Sequence, residues 1–263
     1  MCYNKNSETK EACKEEIMFN LFLVLLLNVR RAPYVFPKMR RMAYHPEKYS
    51  TQERYEYAVH LIHLMKNSIH ITTKAYGLEN LPQEGGYIIY PNHQGKYDVL
   101  GIMDSHDKPL SIVLDKFKSH TVLIREFVDL LQAKRLEKNN PRQGILIINQ
   151  VAKEISEGKR YILFPEGGYT FNNKNRMSEF KAGSFKIALK SKAPIVPVAL
   201  IDSYKVYNSF HIGPITTYVY YLEPIYYEEY MNLKSHEIAT MVHDRIEAKI
   251  AEELAKRDAN KNA

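Results

Sequence analysis

Apolar runs of strand length recur along this chain from about residue 85 onward, with stretches of helical periodicity between them. The runs are GGYIIYP (85–91), LSIVLD (110–115), RYILFP (160–165), APIVPVALI (193–201) and ITTYVYYLEPI (215–225). Strands that alternate with helices confine the fold to an α/β domain with a mostly parallel central sheet flanked by helices. The clearest intervening helix opens at Asn140-Pro141, a cap followed by proline in the first helical position. It carries Ile145, Ile148, Ala152 and Ile155 on one side and ends at Gly158, where a left-handed cap fits. A second helix is expected over 179–192, with Phe180, Ser184, Ile187 and Ala188 along one side. A third is expected from Lys234 to Lys256, with Ile238, Met241, Val242, Ile246 and Ile250 on its apolar side.

Two of the strands end alike. YIIYPNH (87–93) and YILFPEG (161–167) both run from a buried-strand pattern into proline and then into polar or glycine residues. Proline donates nothing to a ladder, so each strand stops there. Ligands of parallel α/β sheets bind beyond the carboxyl ends of the strands, which puts His93 and Glu166 on one functional edge. Asp98, five residues after His93, is able to accept from one ring nitrogen and hold the tautomer in which the other nitrogen takes a proton. A base of this kind is worth about 10²–10⁴ in rate when an alcohol attacks a carbonyl. No serine or cysteine nucleophile stands in either strand end, which favours direct transfer over a covalent enzyme intermediate. Gly95, Gly167 and Gly168 are expected to leave backbone N–H groups open to a phosphate or an oxyanion. A lone His-x-x-x-x-Asp is weak evidence, and a structural histidine is the plainer alternative.

The front of the chain reads differently. Residues 1–16 form a polar tail, 17–70 a helical segment, 71–233 the α/β core, and 234–263 the last amphipathic helix and tail. Ile17 to Val29 is apolar except for Asn20 and Asn28. As a helix it spans roughly 20 Å, short of the roughly 30 Å hydrocarbon core. Arg30, Arg31, Lys38, Arg40 and Arg41 follow with no acidic residue until Glu47. An apolar helix with a basic collar suits an anionic leaflet, dipping into it rather than spanning it. A buried core helix with a solvated charged loop is the alternative. Further on, Ser50-Thr51-Gln52-Glu53 reads as a capping box opening a helix with Tyr57, Leu61, Leu64, Met65 and Ser68 on one side. His60 and His63 sit a turn apart there, without a third metal ligand in an obvious motif, and read as surface residues.

Charge and composition set the outer limits. The net charge is +7 in 263 residues, which suits an anionic partner. The 20 tyrosines gather in apparent strands such as TTYVYYLEPIYY instead of interleaving with cations, so nucleic acid is not the expected partner. Cys2 and Cys13, both in the polar tail, imply neither a disulfide framework nor a zinc site and fit a reducing compartment. Neither a phosphate-loop motif nor a dinucleotide fingerprint is present.

The ordered blocks resemble those of the glycerolipid acyltransferases, specifically the PlsC-like 1-acyl-sn-glycerol-3-phosphate acyltransferases. Asn92-His93 through Asp98 matches the family's first block, Phe164-Pro165-Glu166-Gly167 its third, and PIVPVAL with Pro197 its fourth. FKAGSFKIALKSKAPIVPV (180–198) is also similar, and the likeness covers roughly 75–225. The resemblance implies that His93 is the general base on the acceptor hydroxyl, oriented by Asp98, and that Glu166 and Gly167 help bind the glycerol phosphate acceptor. It implies no metal and no redox cofactor, acyl-CoA or acyl carrier protein as donor, and a lysophospholipid acceptor. An enzyme of this kind is expected on the cytoplasmic face of the cell membrane, monotopic or peripheral.

Two departures stand out. Lys138 occupies the place of the arginine that ends the family's second block, with Arg135 nearby, and lysine lacks the bidentate fork. Gly168-Tyr169-Thr170 stands where Thr-Arg-Ser is common, which leaves Lys174, Arg176 or Lys181 to supply a phosphate contact. A different alcohol acceptor, or a catalytically silent lipid-binding protein of the same fold, are the other readings these departures allow.

Overall fold

The computed structural model describes residues 20, 22–117, 119, 124–137, 140–169, 173–207 and 213–262. Seven strands form one sheet in the order β1-β7-β6-β2-β5-β3-β4. They are β1 (Ile71–Tyr76), β2 (Ile88–Pro91), β3 (Leu110–Asp115), β4 (Lys134–Leu136), β5 (Arg160–Leu163), β6 (Ile195–Ile201) and β7 (Ile215–Tyr221). Every pairing is parallel except β6 with β7. The mostly parallel α/β sheet expected from the alternation is therefore present. Its centre, β2 and β6, is buried at every residue, as strands covered on both faces must be.

The side chains of those strands alternate between two cores. Ile89, Ile162, Val196, Val198 and Leu200 face helices α1 (Ala32–Tyr44), α2 (Thr51–Ser68), α3 (Asp98–Ser105) and α4 (Ile124–Leu130), meeting Met39, Tyr55, Ile62, Ile102 and Val128. Ile88, Tyr90, Tyr161, Ile195, Ala199 and Ile201 face α5 (Pro141–Ser156), α6 (Lys186–Ser191) and α7 (Ser235–Asn262), meeting Val151, Ile155, Ile187, Val242 and Ile246. The product is a three-layer α/β/α sandwich. α1 and α2 make up half of the four-helix layer on the first face.

Pro197 sits inside a central strand and is explained by a bulge. Ile195 bridges Ile225, whereas Val198 already pairs with Tyr221, so three steps along β6 match four along the β7 side. Leu222 N–H donates to Pro197 O at 3.0 Å. In a strand the N and O of one residue point the same way, so the missing donor of Pro197 faces the irregular stretch.

Several local expectations hold and others shift. Ser50 Oγ accepts from Glu53 N–H at 3.1 Å while the Glu53 carboxylate accepts from Ser50 N–H at 2.7 Å, a complete capping box. Asn140 Oδ1 accepts from Gln143 N–H, and Gly158 takes φ +97° after α5. However, α5 buries Val151, Ala152 and Ile155 and leaves Ile145 exposed, because its first turns overhang the short edge strand β4. α2 buries Arg54, Tyr55, Tyr57, Ala58 and Ile62, while Leu61 and Leu64 are only half-buried. The helix expected over 179–192 is shorter, a 3-10 turn at Ala182–Phe185 that continues into α6. Phe185, fully buried, packs on Tyr90. Strand β7 ends at Tyr221, earlier than expected. Strands β1 and β4 went unnamed in the sequence: ITTKAY buries few residues, and KRL has a single apolar one.

Of the apolar front segment, residues 17–19 and 21 lie outside the described residues, as does the polar tail. Residues 22–27 are helical. Val24 packs with Ile69, Ile71, Tyr97, Val206, Tyr207 and Ile215, and Asn20 Nδ2 donates to Val206 O at 2.6 Å. Asn28, the other polar residue of the run, donates to Val24 O and to Ser68 Oγ. One stripe of this helix therefore belongs to the core. The rest, Phe22, Leu25, Leu26, Leu27 and Val29, is exposed. Because residues 206–207 follow the carboxyl end of β6, this helix packs at the end of the sheet that carries His93.

Candidate active site

Strand β2 stops at Pro91, and Asn92 extends its pairing by one side-chain step. Asn92 Oδ1 accepts from Leu200 N–H at 2.7 Å, and Nδ2 donates to Leu200 O at 3.1 Å. This amide imitates a backbone pair, so the chain leaves the sheet at a fixed point with His93 just beyond it. The turn then closes on α3. Asp98, at the first residue of α3, is fully buried.

The His93–Asp98 contact anticipated from their spacing is present. His93 Nδ1 lies 2.7 Å from Asp98 Oδ2. The same oxygen accepts from the backbone N–H of Gln94 at 2.6 Å and of Gly95 at 2.9 Å. Three donors converging on one acceptor oxygen favour the Nδ1–H tautomer of His93. Nε2 then carries the lone pair. No partner takes Nε2 among the described residues, and the side chain keeps some access to solvent. The Phe164 ring lies against the His93 ring, tilted by 32° with centroids 4.2 Å apart, and Tyr169 meets it edge-on with centroids 4.7 Å apart. Two aromatic walls thus fix the ring plane and limit water around it. Burial pushes the Tyr169 phenol up to about 12, so it stays neutral.

Asp98 Oδ1 points the other way. Ser203 Oγ, at the end of β6, donates to it. Ser203 N–H donates to Gln94 Oε1 at 3.1 Å, and Gln94 Nε2 donates to Leu200 O at 2.7 Å and to Asn175 Oδ1 at 3.0 Å. Asn92 entered the sequence reading only as the opening residue of the first block, and Gln94, Asn175 and Ser203 were not singled out. Ser203 lies 105 residues from Asp98, and only strand pairing brings them together.

Glu166 is brought to His93, in a manner the sequence did not suggest. Its Oε1 accepts from His93 N–H at 2.7 Å and its Oε2 from Ser178 N–H at 3.0 Å. With 6% of its surface exposed, it ties the first strand-end loop to the 173–181 loop. Burial pushes its carboxyl up, and the two backbone donors pull it back. Gly167 follows at φ +73°, where a side chain is strained. A Cβ there would also lie 2.5 Å from Lys181 Nζ. The Lys181 ammonium is therefore laid over Gly167, and it forms no ion pair among the described residues. Lys174 and Arg176 are exposed on the same loop.

Two of the expected backbone donors are spent. Gly95 N–H serves Asp98 and Gly167 N–H donates to Phe164 O at 3.1 Å. Both close tight turns internally, which leaves Gly168 of the three. Arg135 is also not gathered at His93. Its guanidinium bonds Asp129 at 2.7 Å and Ser119 at 2.9 Å. It stands on β4, three strands from β2, about 14 Å away at the usual strand spacing. Lys138 lies outside the described residues.

Comparison with known proteins places the chain among similar sequences and folds. Residues 72–201 match the family model described as Acyltransferase. A 1-acyl-sn-glycerol-3-phosphate acyltransferase of Saccharomyces cerevisiae is 26% identical over 189 residues, 70% of this chain and 61% of that protein. One from Cocos nucifera is 28% identical over 155 residues, 58% of this chain and 50% of the relative. The chain thus spans between half and about three-fifths of the length of these relatives. The crystal structure of the 1-acyl-sn-glycerophosphate (LPA) acyltransferase PlsC from Thermotoga maritima superposes with a TM-score of 0.72, covering 91% of this chain and 98% of that one, at 17% identity. The fold is shared with that structure, and residues 72–201, which hold both strand-end blocks and the His93–Asp98 pair, belong to the acyltransferase family.

Proposed function

We propose that the chain transfers a fatty acyl group from a thioester, on coenzyme A or acyl carrier protein, to the sn-2 hydroxyl of a 1-acyl-glycerol-3-phosphate, giving phosphatidic acid. The observation that carries this reading is the Asp98–His93 contact, which leaves Nε2 as a proton acceptor beside two aromatic walls. Nε2 takes the proton of the acceptor hydroxyl as its oxygen bonds to the thioester carbonyl carbon. The tetrahedral oxyanion then collapses, the carbon–sulfur bond breaks, and the thiolate leaves as the thiol with the proton held by His93. Asp98 stabilises the imidazolium in between. Gly168 N–H is the donor available to the oxyanion.

The acceptor phosphate would meet Lys181, with Lys174 and Arg176 around it, in place of the arginine that Tyr169 replaces. Glu166 then acts on the acceptor indirectly, by holding the His93 loop. Tyr169 also favours a second reading, the same chemistry on an acceptor with less charge near the hydroxyl.

The exposed stripe Phe22, Leu25, Leu26, Leu27 and Val29, followed by Arg30 and Arg31, supports peripheral docking on an anionic lipid surface. No helix of the described residues is long and apolar enough to cross a membrane.

The test is acyl transfer from labelled palmitoyl-coenzyme A, and separately from palmitoyl-acyl carrier protein, to lysophosphatidic acid in detergent micelles. The expected result is activity in the wild type and a loss of hundreds-fold or more in His93→Ala. Equal rates in the two proteins would remove His93 from the chemistry. A wild type inactive with both donors would move the reading to another acceptor.

A further inference from the structure

We infer that Ser203 is a positioning residue of the proposed reaction, setting both the orientation and the charge of Asp98 and, through it, the basicity of His93. This rests on the His93 reading above and deepens it: the dyad is a three-residue relay, Ser203–Asp98–His93.

The two oxygens of Asp98 are served unequally. Oδ2 receives His93 Nδ1–H and two backbone N–H groups, whereas Oδ1 has Ser203 Oγ as its one donor among the described residues. A buried carboxylate oxygen without a donor is costly, and Asp98 is 0% exposed. The backbone donors at Gln94 and Gly95 hold one oxygen in place, and Ser203 holds the other. Together they fix the rotation of the carboxylate about its Cβ–Cγ bond and aim Oδ2 at the imidazole.

Ser203 is itself fixed for this task. It is 3% exposed, and its N–H donates to Gln94 Oε1 at 3.1 Å while its Oγ lies 2.9 Å from the same atom. The amide of Gln94 cannot be reversed, since Nε2 donates to Leu200 O at 2.7 Å. Oε1 and Oδ1 therefore compete for the single hydroxyl proton of Ser203, and the ionised carboxylate is the stronger acceptor. The hydrogen bond from Ser203 draws charge from Asp98. Without it, Asp98 holds its own proton more tightly and attracts the proton on His93 more strongly. Either effect moves the protonation that silences the base to higher pH.

Rates of acyl transfer to lysophosphatidic acid, measured from pH 5 to 9 with the palmitoyl donors above, separate a positioning role from a merely structural one. For Ser203→Ala the expected result is kcat lower by about tenfold or more, an unchanged KM for lysophosphatidic acid, and an acid limb displaced to higher pH. Ser203→Thr, which keeps the hydroxyl, should recover the wild-type limb. Ser203→Cys, close in volume but a weak donor, should behave as the alanine variant and stands in for it if that protein does not fold. A wild-type acid limb and kcat in the alanine or cysteine variant would overturn the inference. So would a threonine variant no better than alanine at equal thermal stability. His93→Ala in the same assay distinguishes the failures. If it is active, the proposed mechanism falls; if it is inactive while Ser203→Ala matches wild type, only the role of Ser203 falls.

Discussion

Glu166→Gln is a sharp perturbation, because the two ends of this carboxylate meet the same kind of group. Oε1 accepts from His93 N–H at 2.7 Å and Oε2 from Ser178 N–H at 3.0 Å. A carboxylate accepts at both oxygens, whereas a glutamine of the same shape accepts at one and presents an NH₂ at the other. One backbone N–H must then face a donor. Losing one hydrogen bond to a charged group, in a site where the orphaned donor is buried, costs about 2–4 kcal/mol. For a domain of this size about 1 kcal/mol moves Tm by roughly 2–4 °C, so a fall of about 5–15 °C is expected. Freeing the backbone of His93 also loosens its ring, and a misplacement near 1 Å costs about 10²-fold in rate. The assays are thermal unfolding followed by circular dichroism and steady-state transfer to lysophosphatidic acid. A glutamine variant with wild-type Tm and kcat, and only a raised KM for the acceptor, would refute the reasoning. Such a result would return Glu166 to the substrate-binding role that the motif implies.

Two further outcomes follow from other parts of the molecule. His106 is buried with its ring between the Tyr87 hydroxyl and the Lys108 backbone, and burial lowers its pKa from the usual 6.5 to about 4. Its contribution is therefore present above pH 6.5 and lost as the pH falls toward 4, by about 3 kcal/mol in all. Equilibrium unfolding at pH 7 and pH 4.5 should show a smaller drop for His106→Gln than for wild type, and equal drops would contradict this. At the front of the chain, Phe22 is 61% exposed and Leu26 54%. Replacing Phe22, Leu25 and Leu26 with serine removes about 1 kcal/mol of insertion each, so binding to phosphatidylserine-containing vesicles should weaken more than hundredfold. Unchanged co-sedimentation would place the lipid surface elsewhere.

The elements most legible in the sequence are those whose signals are local. The Ser50 capping box, the Asn140–Pro141 start and the Gly158 end each involve neighbours within a turn, and all stand as read. The same holds for His93 and Asp98, since five residues and a tight turn suffice to join them. Faces were read less well. Ile145 has the right period but overhangs a three-residue edge strand, so periodicity named a stripe with nothing to cover it. Strand β4 carried too little apolar character to register.

What the amino-acid order determined by itself is thus the alternation of strands and helices, their caps, the two strand ends and the pairing of His93 with Asp98. Tertiary structure alone decided which strands are neighbours, and with that the rest of the site. The β6–β2 pairing carries Ser203 to Asp98, and the meeting of the two strand-end loops turns Glu166 into a tie between backbones. It also gave Arg135 to Asp129 and left one stripe of the first helix bare. The physical reason is that a side-chain pattern records which face of an element is apolar. Which other element meets that face is a property of the assembled sheet, decided by contacts between residues distant in the chain.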